Sequence, residues 1–203
     1  MRGGVILFRG TGTAARRYLE ADRSQADEYY LEAGAARAEL SVVDGTGRTI
    51  DERALTPVEY AGWVDWIDPI SREPMGRARQ AGEARQGSPR FAEMVVNTPK
   101  SLSIAAALHP DVSEALDAAQ RDAVAEIRCW LGLHSVTRIG PRGQQEVVPV
   151  ERLETVGISH KTSRAGDPHR HVHLQIGTRV WAGGAWRGLD TAALFRQQGA
   201  IRA

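Results

Sequence analysis

Residues 152–181 read RLETVGISHKTSRAGDPHRHVHLQIGTRVW, and the folding of this stretch decides the architecture around it. RLETVGISH and RHVHLQIGTRVW alternate or run apolar over strand-like lengths, and TSRAGDP between them, with Gly166 and Pro168, has the chemistry of a turn. Successive strand side chains point to opposite faces, so His171 and His173 project together while Val172, Leu174 and Ile176 face a core. The turn returns the chain so that His160, ending the first strand, comes beside that pair. Three neutral imidazoles on one sheet face can chelate a metal and still leave positions open for water or substrate, as catalytic sites do. His169 and Arg170 fall in the turn itself, as solvent or substrate contacts. Four of the chain's six histidines are spent within this segment.

Outward from it, WAGGAW reads as a glycine-rich hairpin and Asp190 as the cap of a helix through ALFRQQ. Upstream, FAEMVVN is a strand, followed by a Pro-Lys-Ser turn and the short helix SLSIAAAL. The pattern then predicts an amphipathic helix over 111–132, with Asp111 and Glu114 as a capping box and Val112, Leu116, Ala119, Ala123, Ile127, Trp130 and Leu131 on its inner face. VILF at 5–8 is a short strand, and Thr13 can cap AARRYLEA. Ser24 can cap a second helix ending at Gly34. Thr56, Pro57 and Glu59 form a strong helix start, with Pro69 as the expected stop. Residues 71–90, with Arg72, Arg77, Arg79, Arg85 and Arg90 among glycines and prolines, read as a loop or flexible flap, either merely solvated or in contact with phosphate. The sum is an α+β fold: a central, mainly antiparallel sheet flanked by helices.

A chain of 203 residues that is 42% hydrophobic and 25% charged suits one globular domain over 1–203. Its ending, just after a helix has begun, reads as a domain truncated at the C-terminus. The net charge of +1 does not mark the whole chain as a polyanion binder, yet Lys161, Arg164, Arg170 and Arg179 make the histidine edge locally positive, and phosphate is a natural guest there. Cys129 stands alone, which excludes an internal disulfide and a cysteine-based zinc site and suits a reducing cytoplasm. No run approaches the ~18 apolar residues of a membrane span.

HKTSRAGDPHRHVH resembles the histidine motif of the F-type (MobF class) conjugative relaxases, members of the HUH endonucleases, with Val172 as the hydrophobic residue between two histidines. ARRYLEA resembles their nucleophile segment, DEYYLEAG their second tyrosine segment, AEMVVNTPKSLS their acidic strand and turn, and WAGGAWRGLDTAALFRQ the hairpin and helix after the histidines. The order agrees over nearly the whole chain; residues from about 35 to 90 match loosely. The resemblance implies Tyr18 as nucleophile and His160, His171 and His173 as ligands of a divalent ion, magnesium or manganese first, with zinc, nickel or cobalt as other choices. It puts Glu93 where the family usually has an aspartate, to orient a ligand histidine or take the tyrosine proton. Tyr29 and Tyr30 match a pair used in some relaxases for a second cleavage; helix packing is the competing role. The implied activity is strand-specific nicking and rejoining of single-stranded DNA at a plasmid transfer origin. The implied partners are that DNA, other relaxosome proteins and a conjugative coupling protein, with the relaxase a cytoplasmic monomer. Lys100, Lys161, Arg164, Arg170 and Arg179 are the candidate backbone contacts, and Trp63, Trp66, Trp181 and Trp186 either stack on bases or pack in the core.

Two other readings compete. The chain can be a relaxase fragment that binds single-stranded or hairpin DNA with weak or no cleavage. A mononuclear metal oxygenase is the other, although His171-Val172-His173 lacks the carboxylate that usually accompanies the ligand histidines there.

Overall fold

The computed structural model describes residues 4–21, 38–77, 87–141, 143–163 and 165–202. In chain order these form β1 (Ile6–Phe8), α1 (Gly12–Ala21), β2 (Ala38–Asp44), β3 (Thr49–Leu55), α2 (Pro57–Val64), β4 (Phe91–Asn97), α3 (Lys100–Leu108) and α4 (Pro110–His134). There follow β5 (Val136–Ile139), β6 (Glu146–Pro149), β7 (Arg152–Thr162), β8 (Pro168–Ala182), β9 (Ala185–Gly188), α5 (Thr191–Arg196) and α6 (Gln198–Arg202). The helix expected over 24–34, with Tyr29 and Tyr30, lies outside the described residues.

The hairpin β7–β8 is the axis of the sheet. Strand order is β1-β4-β8-β7-β2-β3, every pairing antiparallel, and β9 pairs with the far end of β8 beyond β4. The β8–β9 connection is the WAGGAW turn: Ala182 opposes Ala185, and Gly183 and Gly184 both take the left-handed conformation that such a two-residue turn requires. The sheet order sets two buried faces. Ala92, Met94, Val96, Val172, Leu174 and Ile176 face α4 with Val124 and Leu131. Leu40, Val42, Phe91, Val156 and Ile158 face the other way, under Ala15 of α1 and Tyr60, Trp63 and Val64 of α2.

The structure departs from the sequence expectations in identifiable places. The hairpin of β2 and β3 was not expected; it supplies the strand that pairs with β7 from Ala38↔Ile158 to Asp44↔Arg152. At α2 the capping box forms as expected, Thr56 accepting from the Glu59 N–H and Glu59 from the Thr56 N–H. The helix nevertheless stops at Val64, well before Pro69. Trp66 turns left-handed (φ 67°), its N–H donating to the Trp63 carbonyl and the Ile67 N–H to that of Gly62, a Schellman ending with tryptophan where glycine is usual. Left-handed backbone costs a residue with a Cβ about 1–2 kcal/mol. The offset is a clasp: the guanidinium groups of Arg90 and Arg179 stand 4.2 and 4.1 Å from the buried Trp66 ring.

The capping box expected at Asp111 and Glu114 does not form; His109 is the N-cap without a side-chain bond, and Pro110 begins α4. The inner row of α4 is Leu116, Gln120, Val124 and Leu131, so Ala119 and Ala123 lie outside, where alanine is a strong helix former that needs no partner.

Glu154, on β7, is fully buried and takes bonds from Trp63 Nε1 (3.0 Å) and Arg152, which also reaches Asp68 (3.2 Å). Burial pushes its carboxyl up to about 7 against the pull of Arg152. The fold therefore holds a proton that the unfolded chain releases near the ordinary 4.5, so this stabilisation is complete below about pH 4.5 and is lost as pH rises through 7. We expect the stability gap between wild type and Glu154→Gln, measured by urea denaturation at pH 5 and pH 8, to shift against the wild type on the order of 3 kcal/mol at the higher pH. A gap unchanged with pH would contradict this.

Candidate metal centre and nucleophile helix

Strand alternation delivers the histidines to one face. On β7 the even positions Val156, Ile158 and His160 share a side; on β8 the odd positions His171, His173 and Gln175 do, while Val172 packs in the opposite core. Antiparallel register makes His160 and His171 direct partners and puts His173 opposite Ile158. The turn between them closes with the Ser163 N–H donating to the Asp167 carbonyl and the Gly166 N–H to that of Ser163. The ring centroids of His160, His171 and His173 are 5.1 to 5.3 Å apart.

Each of the two strand-mates has one ring nitrogen committed. His173 Nδ1 lies 3.0 Å from Glu93 Oε1 and His171 Nδ1 2.8 Å from the His169 carbonyl oxygen. Carboxylates and carbonyls only accept, so both Nδ1 atoms carry a proton, and in the neutral ring it is Nε2 that keeps the lone pair. Burial drives His171 down to about 4, with the His169 carbonyl opposing and the neighbouring imidazoles reinforcing, so near neutral pH it is the uncharged form that binds metals. Among the described residues no group of three or more His, Cys, Asp or Glu side chains is placed, as it stands, to hold a metal ion. The all-imidazole donor set and the engaged Nδ1 atoms nonetheless have the chemistry to hold a divalent cation, for which His160, His171 and His173 would be the ligands.

Glu93 is buried on β4, directly opposite Gln175 of β8. Its second oxygen accepts from Gln175 Nε2 at 3.0 Å, and Gln175 Oε1 accepts from the Tyr60 hydroxyl at 2.9 Å. Burial raises Tyr60 above the ordinary phenol range. Sequence reasoning missed Gln175 and Tyr60; both read there as routine strand and helix positions.

The helix carrying Tyr18 lies over this same face. Ala15, three residues before Tyr18, belongs to the same buried cluster as Val156, Ile158 and Phe91, and the Gly12 N–H donates to Asp65 Oδ1 at 2.9 Å. The Tyr18 side chain lies outside the described residues. Gly12 is pressed against α2 so closely that a Cβ there would stand 2.0 Å from the Ala61 carbonyl oxygen. Gly12→Ala should therefore force α1 away and cost about 1–3 kcal/mol of stability, read as a lowered melting temperature; an unchanged one would show that the contact is loose.

The expected DNA contacts scatter. Lys100 pairs with Asp167 in the β7–β8 turn at 2.9 Å. Lys161, next to His160 on β7, lines with it a cleft of about 480 Å³ beside α4. Arg170 belongs to β8 rather than to the turn; it is 7% exposed and bonded to Asp117 and Ser113 of α4, on the face opposite the histidines. His169 likewise lies in β8, as the carbonyl partner of His171. Arg179 lies over Trp66 and donates to the Arg77 carbonyl. Arg164 lies outside the described residues. Trp63 and Trp66 are core residues, and Trp181 and Trp186 pack edge to face at 5.6 Å.

Residues 12–203 match the family model described as TrwC relaxase. Among solved structures the chain is similar to the conjugative relaxase TrwC in complex with OriT DNA in a metal-free form (TM-score 0.69, 17% identity, 98% of this chain and 64% of that one). It is similar to a metal-bound form of that complex (0.69, 18%, 98% and 65%), and to TrwC with a 27-mer DNA comprising the recognition hairpin and the cleavage site (0.63, 17%, 98% and 64%). At these identities the likeness is one of fold. The chain spans just under two thirds of the length of these relatives, and no curated protein matches it. Among the described residues, no helix is long and apolar enough to cross a membrane.

Proposed function

The chain belongs to the TrwC relaxase family, and from that premise we propose that it cuts and rejoins single-stranded DNA at a transfer origin through a tyrosyl intermediate. The observation that carries the proposal is the face of three imidazoles, two with Nδ1 tied back so that Nε2 remains, on the side of the sheet whose buried cluster includes Ala15 of the Tyr18 helix. The solved relatives include complexes with OriT DNA and a metal-bound form. His160, His171 and His173 would hold a divalent ion; an all-imidazole set suits first-row transition ions better than magnesium. When bound, such an ion polarises the scissile phosphate and offsets its growing negative charge.

The chain's residues do the rest. Only about one phenol in a thousand is ionised near neutral pH, a deficit of roughly 4 kcal/mol for the attacking oxygen. Tyr18 Oη attacks phosphorus, the bond to the 3′ oxygen breaks, and a 5′-phosphotyrosyl link and a free 3′-hydroxyl result. The phenol proton passes to water and water returns one to the leaving 3′ oxygen, while each oxygen of Glu93 holds a buried neighbour, His173 on one and Gln175 on the other. Glu93 therefore takes the orienting role of the two that its position implies. One ester replaces another, so the step reverses without a high-energy cofactor.

The test is incubation of the chain with manganese and end-labelled single-stranded DNA from the transfer origin of its own element, resolved on a denaturing gel. A covalent adduct that chelator abolishes is the expected result. Retention of DNA with no adduct would replace catalysis by a binding module.

A further inference from the structure

We propose that Gln175 and Tyr60 are positioning residues for the metal face, and that α2 is the strut aligning both halves of the site. The inference rests on the reading of the three histidines given above. It begins with the chemistry of an amide, which offers one acceptor oxygen and one donor nitrogen. Gln175 is 1% exposed and stands between Glu93 of β4 and Val156 of β7 in the middle of the sheet. Its Nε2 must face the carboxylate of Glu93, since the reverse orientation would set oxygen against oxygen; its Oε1 is then left for the Tyr60 hydroxyl. One orientation satisfies all three groups.

The consequence reaches the metal face. A carboxylate held at one oxygen by Gln175 presents the other in a fixed direction, and it is that oxygen which receives Nδ1–H of His173. The chain Tyr60, Gln175, Glu93, His173 thus fixes the plane of one ligand ring from a helix 115 residues away in sequence from the glutamine. Partners of metal ligands set both ring orientation and ligand basicity. The same helix also holds α1: next to Tyr60, the carbonyl of Ala61 abuts Gly12, and Asp65, one turn on, caps the Gly12 N–H. Neighbouring residues of α2 thereby register the nucleophile helix and the metal face against each other.

The test uses the whole chain with cobalt(II), whose visible absorption reports both affinity and ligand geometry, together with long-range 1H–15N spectra of the histidine rings without metal. Gln175→Leu should weaken cobalt binding about tenfold and Tyr60→Phe a few-fold. In both, the Nδ1–H signal of His173 should shift while that of His171 stays. Circular dichroism and melting temperature establish that each variant is folded, and Tyr60→Phe, which removes one oxygen, carries the test if Gln175→Leu does not fold. Wild-type binding together with unchanged affinity and unchanged His173 signals in the folded variants would overturn the positioning role alone. A wild type that binds no cobalt would overturn the metal reading and this inference with it.

Discussion

Tyr18→Phe is expected to reduce covalent DNA adduct by at least about a thousandfold while leaving DNA binding intact. The substitution keeps the ring and removes the one atom able to form the bond to phosphorus, and no general acid or metal can replace an absent nucleophile. Denaturing gels of the manganese reaction give the adduct yield, and fluorescence anisotropy with the same oligonucleotide gives the affinity. The position argues for the result: Tyr18 follows Ala15 by three residues on a helix whose Ala15 shares a buried cluster with Val156 and Ile158, on the side of β7 that also carries His160. An adduct undiminished in Tyr18→Phe would transfer the role to Tyr29 or Tyr30.

His171→Ala should weaken manganese or cobalt binding by about a hundredfold or more and lower adduct yield with it. This substitution is the cleanest of the three, because the Nδ1 partner it loses is a backbone carbonyl on its own strand. Removing His173 would also strip Glu93 Oε1 of its donor inside the core. His169→Ala is the control: its contribution to His171 is its main-chain oxygen, so calorimetry should give a metal affinity within about twofold of wild type, as expected for a residue outside the coordinating set. Equal losses in the two variants would mean that the ligand set includes His169 as well as His171.

The central hairpin was legible because its signals are local. Alternation along RHVHLQI separates His171 and His173 from Val172, Leu174 and Ile176, and the structure keeps that division. Thr56, Pro57 and Glu59 announced the start of α2, and Asp190 that of α5, since a cap acts on backbone groups two or three residues away. The hairpin of β2 and β3 was less legible: Glu39, Asp51, Glu52 and Arg53 interrupt its apolar pattern, and one of its two strands lies at the edge of the sheet.

By itself, then, the sequence determined which face each central residue takes, where α2 and α5 begin, and that three imidazoles can share one side of a hairpin. Only the tertiary structure decided that Glu93 meets His173, that Gln175 and Tyr60 stand behind it, that α2 ends on Trp66 between two arginines, and that Arg170 turns into α4. The difference is one of range. Strand alternation and helix caps follow from backbone geometry over a few residues. A buried carboxylate, amide or guanidinium finds its partner wherever packing brings one, because leaving it unpaired costs more than the loop that must close to reach it.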